Sequence, residues 1–305
     1  MVNMFMLSIS LMMTMLVGLS TGNSIVLVLS MEVSLFCFIF MIYNYKLITY
    51  SSPSVKYFLV QTVGSMVLLL YILTHDLLQY GFFNTGMLLF GLSIKLGIFP
   101  LHFWVVPTTS ELSFSMIGVL GIPMKVLPLA LLFSELQNNL INQLSTIAMY
   151  MGLGSMFMGM FLGVKNKSLR GVLGASSVSH TGWLLYAMTS MNILMYFMLY
   201  SLTLVCFLWG VSSMDSGVAS LSLYAMAGLP PFPIFFGKLL VLLSLYKLNF
   251  PPHFLIFALL SAVLSLIYYL KFMFTFYLSS MVSSKKWVTG VVLFFSNMLW
   301  LTILM

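Results

Sequence analysis

The sequence carries very little charge for its length. Only 6% of its 305 residues are Asp, Glu, Lys or Arg, and 61% are hydrophobic. A soluble domain has about 25% charged residues, so this chain lacks the polar surface that water requires. Apolar runs of about eighteen or more residues, long enough to cross the hydrocarbon core, recur from end to end. In lipid the backbone N–H and C=O groups must hydrogen bond to each other, so only helices or a closed β-barrel can span the membrane. The alternation typical of barrel strands is missing, so the prediction is an all-α polytopic membrane protein.

Other absences narrow the function. Cys37 and Cys206 are the two cysteines, and both lie inside apolar runs, so they are predicted to be small buried hydrophobes rather than a disulfide framework. The sequence has no metal-ligand cluster, no phosphate-binding loop and no glycine-rich turn after a strand, so no cofactor is expected on this chain. The net charge of +7 is scattered over short loops without a basic, aromatic-interleaved face. These charges are expected to set orientation in the membrane, and nucleic acid is not an expected partner.

The hydropathy pattern predicts one transmembrane domain over residues 1–305, with about eleven spans. The predicted spans are 3–19, 24–43, 56–74, 83–104, 113–135, 140–163, 171–190, 192–213, 217–247, 253–278 and 287–305. Connectors after even-numbered spans hold most of the loop charge, namely Lys46, Lys56, Lys165, Lys167, Arg170, Lys285 and Lys286. The even connectors and the N-terminus are therefore predicted to face the positive-inside compartment.

Two predicted spans are irregular. The fourth contains Pro100, and the ninth contains Pro230, Pro231 and Pro233. Proline removes a backbone donor and clashes with the preceding turn, so both helices should break near the membrane centre. Broken helices are tolerated there only where protein or a wet cavity surrounds them. The ninth span comes five spans after the fourth. Because five is an odd number, the two spans run through the membrane in opposite directions, as in inverted-repeat transporters.

Four ionisable side chains fall deep inside predicted spans: Glu32, Lys95, Lys125 and Lys238. Each charge at a helix centre costs about 2.5–3.5 kcal/mol on insertion scales, so a functional role is favoured. Lysine, unlike arginine, can release its proton when buried, and the four therefore form a candidate proton relay. Two structural alternatives stay open. The lysines can snorkel to the interface, as is expected for Lys271, and Glu32 with Lys95 can form an ion pair that only links helices.

Histidines and the remaining acids give weaker signals. His180 lies inside the seventh predicted span, where it either carries protons between the lysines or serves as a hydrogen-bonded core residue. Glu111, Glu135 and Asp215 fall in predicted connectors and are expected to be solvated.

Three stretches resemble the signatures of the antiporter-like subunits of respiratory complex I. They are Lys95-Leu-Gly-Ile-Phe-Pro-Leu-His-Phe-Trp104, Ser168-Leu-Arg170 followed by Ser176-Ser-Val-Ser-His180-Thr-Gly-Trp183, and Gly228-Leu-Pro-Pro-Phe-Pro-Ile-Phe-Phe-Gly-Lys238. They occur in the family's order, and the resemblance covers nearly the whole chain. Its length and number of spans are most similar to a mitochondrially encoded member from animals.

The resemblance implies a fold with two broken helices in an antiporter-like inverted repeat. It implies that Glu32 pairs with Lys95 and that Lys125, His180 and Lys238 continue a water-linked polar axis. Electron transfer from NADH to ubiquinone would drive proton translocation, with NADH, FMN, iron–sulfur clusters and ubiquinone bound by other subunits. The expected partners are neighbouring antiporter-like and small membrane-arm subunits and lipids. The expected location is the mitochondrial inner membrane, with the N-terminus on the matrix side.

Two rival hypotheses remain at this point. A self-sufficient monovalent cation/proton antiporter would share the broken helices and the lysines. A scaffold bundle would use its buried charges only to lock helices together.

Overall fold

The regular structure is helical throughout the part of the chain that the computed structural model describes. That part comprises residues 4–44, 51–75, 82–137, 141–190, 192–230 and 232–282. The helices are α1 (Met4–Thr21), α2 (Ser24–Asn44), α3 (Ser51–His75), α4 (Phe82–Leu96), α5 (Val105–Glu111), α6 (Phe114–Gly121), α7 (Pro123–Gln137), α8 (Ile141–Lys165), α9 (Leu169–Thr189), α10 (Ile193–Ser212), α11 (Ser216–Ala227), α12 (Pro233–Lys247) and α13 (Pro252–Val282).

Within those residues, seven helical stretches are long and apolar enough to cross a membrane. The prediction of a multi-pass α-helical protein is confirmed. The predicted eleventh span, 287–305, lies outside the described residues. Cys37 is buried, as expected, whereas Cys206 is only partly buried.

The fourth and ninth predicted spans are both broken where the sequence predicts. The fourth span consists of α4 and α5, separated by residues 97–104, and the ninth consists of α11 and α12, separated by residues 228–232. The predicted end of the fourth span at residue 104 falls at the end of the break, and α5 follows it. The predicted fifth span, which was not named among the irregular ones, is also interrupted, at Ile122, and Pro123 begins α7.

The end of α4 follows from Gly97. Its φ of +67° is a left-handed conformation that glycine adopts without a steric penalty. The backbone N–H of Ile98 then donates to the carbonyl of Ser93 at 3.0 Å, which closes the last turn. Lys95 is thereby held in the last turn of a helix that stops inside the protein.

Helix α9 lies at the centre of the bundle. Every residue from 171 to 188 is buried, including the hydroxyls of Ser176, Ser177 and Ser179 and the imidazole of His180. Close approach of α8 makes this possible, because a Cβ on Gly159 would lie 2.6 Å from the backbone nitrogen of Ser179. A polar helix is thus shielded from lipid by its neighbours, as buried polar groups in a membrane require.

Candidate proton-relay site

Glu32 of α2 and Lys95 of α4 form an ion pair inside the bundle. The Lys95 Nζ donates to the Glu32 Oε1 at 2.9 Å, and the two side chains are 4% and 22% exposed. Lys95 lies at the C-terminal end of α4, where the backbone carbonyls favour a cation. Burial excludes the snorkelling alternative for Lys95, and the pairing itself is confirmed.

The carbonyls freed by the break in α4 have protein partners. The indole Nε1 of Trp104 donates to the carbonyl of Ile94 at 3.0 Å. The amide of Gln61, on α3, approaches the carbonyl of Lys95 at 3.5 Å. The Trp104 of the motif therefore stabilises the broken helix that presents Lys95.

Lys125 is the next buried ammonium group. It lies in the first turn of α7 and donates to the backbone carbonyl of Ser177, on α9, at 3.1 Å. Its exposed fraction is 5%, so it does not reach the interface either. Lys95 and Lys125 both line one small cavity, together with Tyr57, Trp104 and Ser177. The cavity is just large enough for one water molecule, and both polar and apolar side chains line it.

His180 uses both ring nitrogens. Its Nδ1 lies 2.8 Å from the hydroxyl of Tyr196, and its Nε2 lies 3.1 Å from the hydroxyl of Tyr269. The ring of Tyr200 packs against it with centroids 4.8 Å apart. The same Tyr200 ring also contacts Lys125, whose Nζ lies 5.6 Å from the ring centroid. His180 is thus a hydrogen-bonded core residue that also lies beside the relay.

Lys238 is buried at the second helix break. It lies in the second turn of α12, and its Nζ donates to the carbonyl of Ala227, the last residue of α11, at 3.3 Å. A Cβ on Gly228 would lie 3.0 Å from this nitrogen, so the glycine leaves space for the ammonium. The Nζ also lies 5.5 Å from the ring of Trp183, on α9. With an exposed fraction of 6%, Lys238 is not a snorkelling residue.

The predicted site residues therefore form one line through the bundle. Aromatic rings fill the gaps: Tyr200 between Lys125 and His180, and Trp183 with Tyr196 between His180 and Lys238. Such rings attract cations with their faces, and tyrosine hydroxyls both donate and accept hydrogen bonds.

The sequence analysis did not identify the tyrosines. Tyr196 and Tyr200 are four residues apart on α10, so they share one helix face. That spacing of two hydroxyl-bearing rings in an apolar helix was the available signal.

Two predictions about connector acids are wrong. Glu135 and Asp215 are each 8% exposed, although both were expected to be solvated. The hydroxyl of Tyr71, on α3, donates to the Glu135 Oε2 at 2.8 Å, because α7 runs on to Gln137 and keeps Glu135 inside the bundle. Asp215 precedes α11, where its carbonyl accepts from the N–H of Ala219 at 3.0 Å.

Glu111 behaves as expected. It is partly exposed at the end of α5 and accepts from Ser52 at 2.5 Å and from Lys56 at 3.0 Å. These donors hold the pKa of Glu111 below its ordinary value, with the Ser52 hydroxyl having the largest effect. No cluster of three or more metal-ligating side chains occurs in the described ranges.

Residues 21–220 match the family model of the NADH:quinone oxidoreductase/Mrp antiporter transmembrane proteins. The chain belongs to this family. The matched region contains Glu32, Lys95, Lys125 and His180, whereas Lys238 lies beyond it.

Curated relatives in this family cover most of the chain. The NADH-ubiquinone oxidoreductase chain 2 of Albinaria caerulea is 34% identical over 237 residues, which is 77% of this chain and 76% of the relative. The protein of the same name from Mus musculus is 29% identical over 260 residues, covering 76% of this chain and 74% of its own length.

Two solved structures share the antiporter-like fold. A chain of the respiratory complex I from Thermus thermophilus with bound aureothin superposes with a TM-score of 0.74 at 18% identity, covering 88% of this chain and 69% of that one. A chain of the Mrp complex from Dietzia sp. DQ12-45-1b gives 0.76 at 17% identity, with coverages of 87% and 59%.

Proposed function

We propose that this chain is a membrane subunit of a proton-pumping NADH:ubiquinone oxidoreductase, the respiratory complex I. Its relatives named NADH-ubiquinone oxidoreductase chain 2 and the fold it shares with a complex I chain support this assignment. The proposed location is the mitochondrial inner membrane, with the N-terminus on the matrix side, in contact with other membrane-arm subunits and lipids. NADH, FMN, iron–sulfur clusters and ubiquinone bind to other subunits of the complex, and this chain performs no redox chemistry.

One observation carries the mechanistic proposal: Lys95, the buried lysine of a Lys–Glu pair, lines a cavity that a second buried lysine, Lys125, also lines. An ammonium group at this depth is costly, so its proton responds strongly to a nearby change in charge. A charge change in a neighbouring subunit alters the Glu32–Lys95 pair. Lys95 then passes a proton towards Lys125 through the cavity.

The relay continues along α9. From Lys125 the proton moves past His180 towards Lys238, whose ammonium contacts the end of α11. The groups interact electrostatically, so they titrate as a coupled set rather than one by one. Lysine suits each position because it holds and releases a proton, which arginine does not.

The test is Lys95→Met in the assembled complex, with Lys56→Met as the matched control. Lys56 makes a Glu–Lys contact of similar length, but its side chain is 50% exposed. The expected result is a correctly assembled complex in which Lys95→Met lowers NADH-driven proton translocation about tenfold or more, while Lys56→Met pumps normally. Normal pumping in the assembled Lys95→Met complex would contradict the proposal. Loss of assembly in Lys95→Met and Lys238→Met would support the scaffold hypothesis instead.

The shared fold with the Mrp complex favours one second candidate, a monovalent cation/proton antiporter subunit. The two functions differ in their driving force. If the purified chain in liposomes moves protons in response to a sodium or potassium gradient, the antiporter function holds. If translocation depends on NADH oxidation in the intact complex, the complex I function holds.

A further inference from the structure

Four of the helices pack in a closed ring. Helix α2 packs on α3, α3 on α4, α4 on α7, and α7 on α2. Each of the four contributes a side chain to the ion pair or to the cavity beside it: Glu32 from α2, Tyr57 from α3, Lys95 from α4 and Lys125 from α7. The geometry of the first part of the relay therefore depends on how these four helices are held together.

Two hydrogen-bonded pairs cross this ring. The Lys95 Nζ donates to the Glu32 Oε1 at 2.9 Å, which joins α4 to α2. The Tyr71 hydroxyl donates to the Glu135 Oε2 at 2.8 Å, which joins α3 to α7. In the order of packing, α2 is opposite α4, and α3 is opposite α7. Each pair of opposite helices is thus joined by one of the two bonds.

The Tyr71–Glu135 bond lies away from the cavity, towards the ends of its two helices. Tyr71 follows Gln61, whose amide approaches the Lys95 carbonyl, by ten residues, and Glu135 follows Lys125 by ten residues as well. At 1.5 Å per residue, each partner lies about 15 Å further along its helix. Tyr71 is 2% exposed and Glu135 is 8% exposed. Burial strengthens a hydrogen bond and makes its loss costly.

Lys125 needs such an anchor because the backbone around it is interrupted. Helix α7 begins at Pro123, directly after the break at Ile122, and Pro128 has no N–H to donate to the preceding turn. The helix bonds of the first turns of α7 are therefore incomplete on both sides of Lys125. Glu135 lies in the later part of α7, beyond Pro128, and fixes that part to α3.

We propose that Tyr71 and Glu135 are positioning residues for the relay. Their hydrogen bond keeps the ring of α2, α3, α4 and α7 closed when the Glu32–Lys95 pair opens, so that Lys95 and Lys125 stay beside one cavity. This inference rests on the proposed relay function and adds the residues that hold its first two lysines in place.

The test measures NADH-driven proton translocation per assembled complex in proteoliposomes. Tyr71→Phe removes the donor, and Glu135→Leu removes the acceptor. Glu135→Gln is the conservative variant, because its amide oxygen can still accept from Tyr71. The matched control is Thr74→Val. It removes a hydroxyl that donates to the Asn84 Oδ1 at 3.2 Å, between α3 and α4, which already pack on each other.

Tyr71→Phe and Glu135→Leu are each expected to slow translocation about threefold, the weight of one net hydrogen bond. Glu135→Gln and Thr74→Val are expected to stay near the normal rate. A carboxyl that carried protons itself would instead fail in Glu135→Gln, which separates a positioning role from a catalytic one.

The decisive readout is the combination with Glu32→Gln, which removes the ion pair between α2 and α4. The ring then has neither crossing bond. Tyr71→Phe combined with Glu32→Gln is expected to fall at least about fivefold below the product of the two single effects. Thr74→Val combined with Glu32→Gln should give the product itself. A loss of assembled complex alone does not change this rate per complex.

Simple multiplication of the Tyr71→Phe and Glu32→Gln effects, with Lys95→Met still lowering pumping, would overturn the positioning role and leave the relay in place. Equal losses in Glu135→Gln and Glu135→Leu beside a normal Tyr71→Phe would overturn it too, because the carboxyl would then act through its charge. If Lys95→Met pumps normally, the proposed function itself fails, and the positioning role fails with it.

A second comparison decides the question if Tyr71→Phe does not assemble. Glu135→Gln and Glu135→Leu are then compared in the Glu32→Gln background. The Gln variant is expected to pump faster than the Leu variant, because it alone keeps an acceptor for the Tyr71 hydroxyl. Equal rates would overturn the positioning role.

Discussion

Two Lys–Glu pairs in this protein have nearly the same geometry and opposite surroundings. Lys95 and Glu32 are joined at 2.9 Å with side chains 4% and 22% exposed. Lys56 and Glu111 are joined at 3.0 Å with side chains 50% and 34% exposed. The exposed ions keep much of their hydration, so their contact contributes about 0–1 kcal/mol. The buried pair has given up most of its hydration, so either partner becomes costly when the other changes.

The two pairs also differ in what lies next to them. Lys95 shares a cavity with Lys125, a second buried base within the same bundle. Lys56 faces the surface, and its carboxylate partner is already hydrogen bonded by Ser52. A proton leaving Lys95 therefore has a protein group to move to, whereas one leaving Lys56 enters the solvent.

The largest expected effect comes from Lys125→Arg. Lys125 lines the same cavity as Lys95 of the buried pair, and the change replaces a group that can release a proton with one that cannot. Arginine can keep the hydrogen bond to the Ser177 carbonyl and the positive charge, but it does not release its proton. NADH-driven translocation is expected to fall about tenfold or more. The control is Lys56→Arg, which should pump at the normal rate. Equal rates in the two variants would remove the functional distinction between the buried and exposed lysines.

A smaller effect is expected from Glu32→Gln. The Lys95 ammonium loses its anionic partner, yet Lys95 and Lys125 both remain able to carry a proton. Translocation should fall several-fold rather than stop, because the proposed change in charge on the neighbouring subunit can no longer act on Lys95 through its ion pair with Glu32. Glu111→Gln provides the matched control at the exposed pair. A fall of the same size in Glu111→Gln would show that burial does not separate the two pairs.

Sequence reasoning located the buried charged residues because each one violates the composition of its span. A lysine or glutamate in an apolar run is visible without a structure, and Pro100 and Pro233 locate the two breaks next to Lys95 and Lys238. The residues alone left the pairing of Glu32 with Lys95 as one open alternative, and the family resemblance specified it.

What the sequence did not predict has a common physical cause. Tyrosine is apolar in its ring, so Tyr196, Tyr200 and Tyr269 looked like ordinary core residues. The structure brings the hydroxyls of Tyr196 and Tyr269 and the ring of Tyr200 to His180. Glu135 looked solvated because helix ends are the least certain part of a hydropathy pattern, and α7 runs past it to Gln137.

The smallest expected effect is the contribution of the exposed pair to the local stability of α5. Glu111→Gln should raise hydrogen exchange of the α5 amides by less than about fivefold at pH 7, which corresponds to the ~1 kcal/mol ceiling for an exposed pair. Because the pKa of Glu111 is lowered in the folded protein, this stabilisation is fully present above the ordinary carboxyl value of 4.5. It is lost as the pH falls through the lowered pKa, so the exchange ratio of variant to unmodified protein should approach one in acid. Added salt should reduce the ratio as well, since it screens exposed charges. A ratio far above fivefold that persists in acid and in salt would mean that Glu111 acts as a buried partner, and the contrast with Glu32 would then disappear.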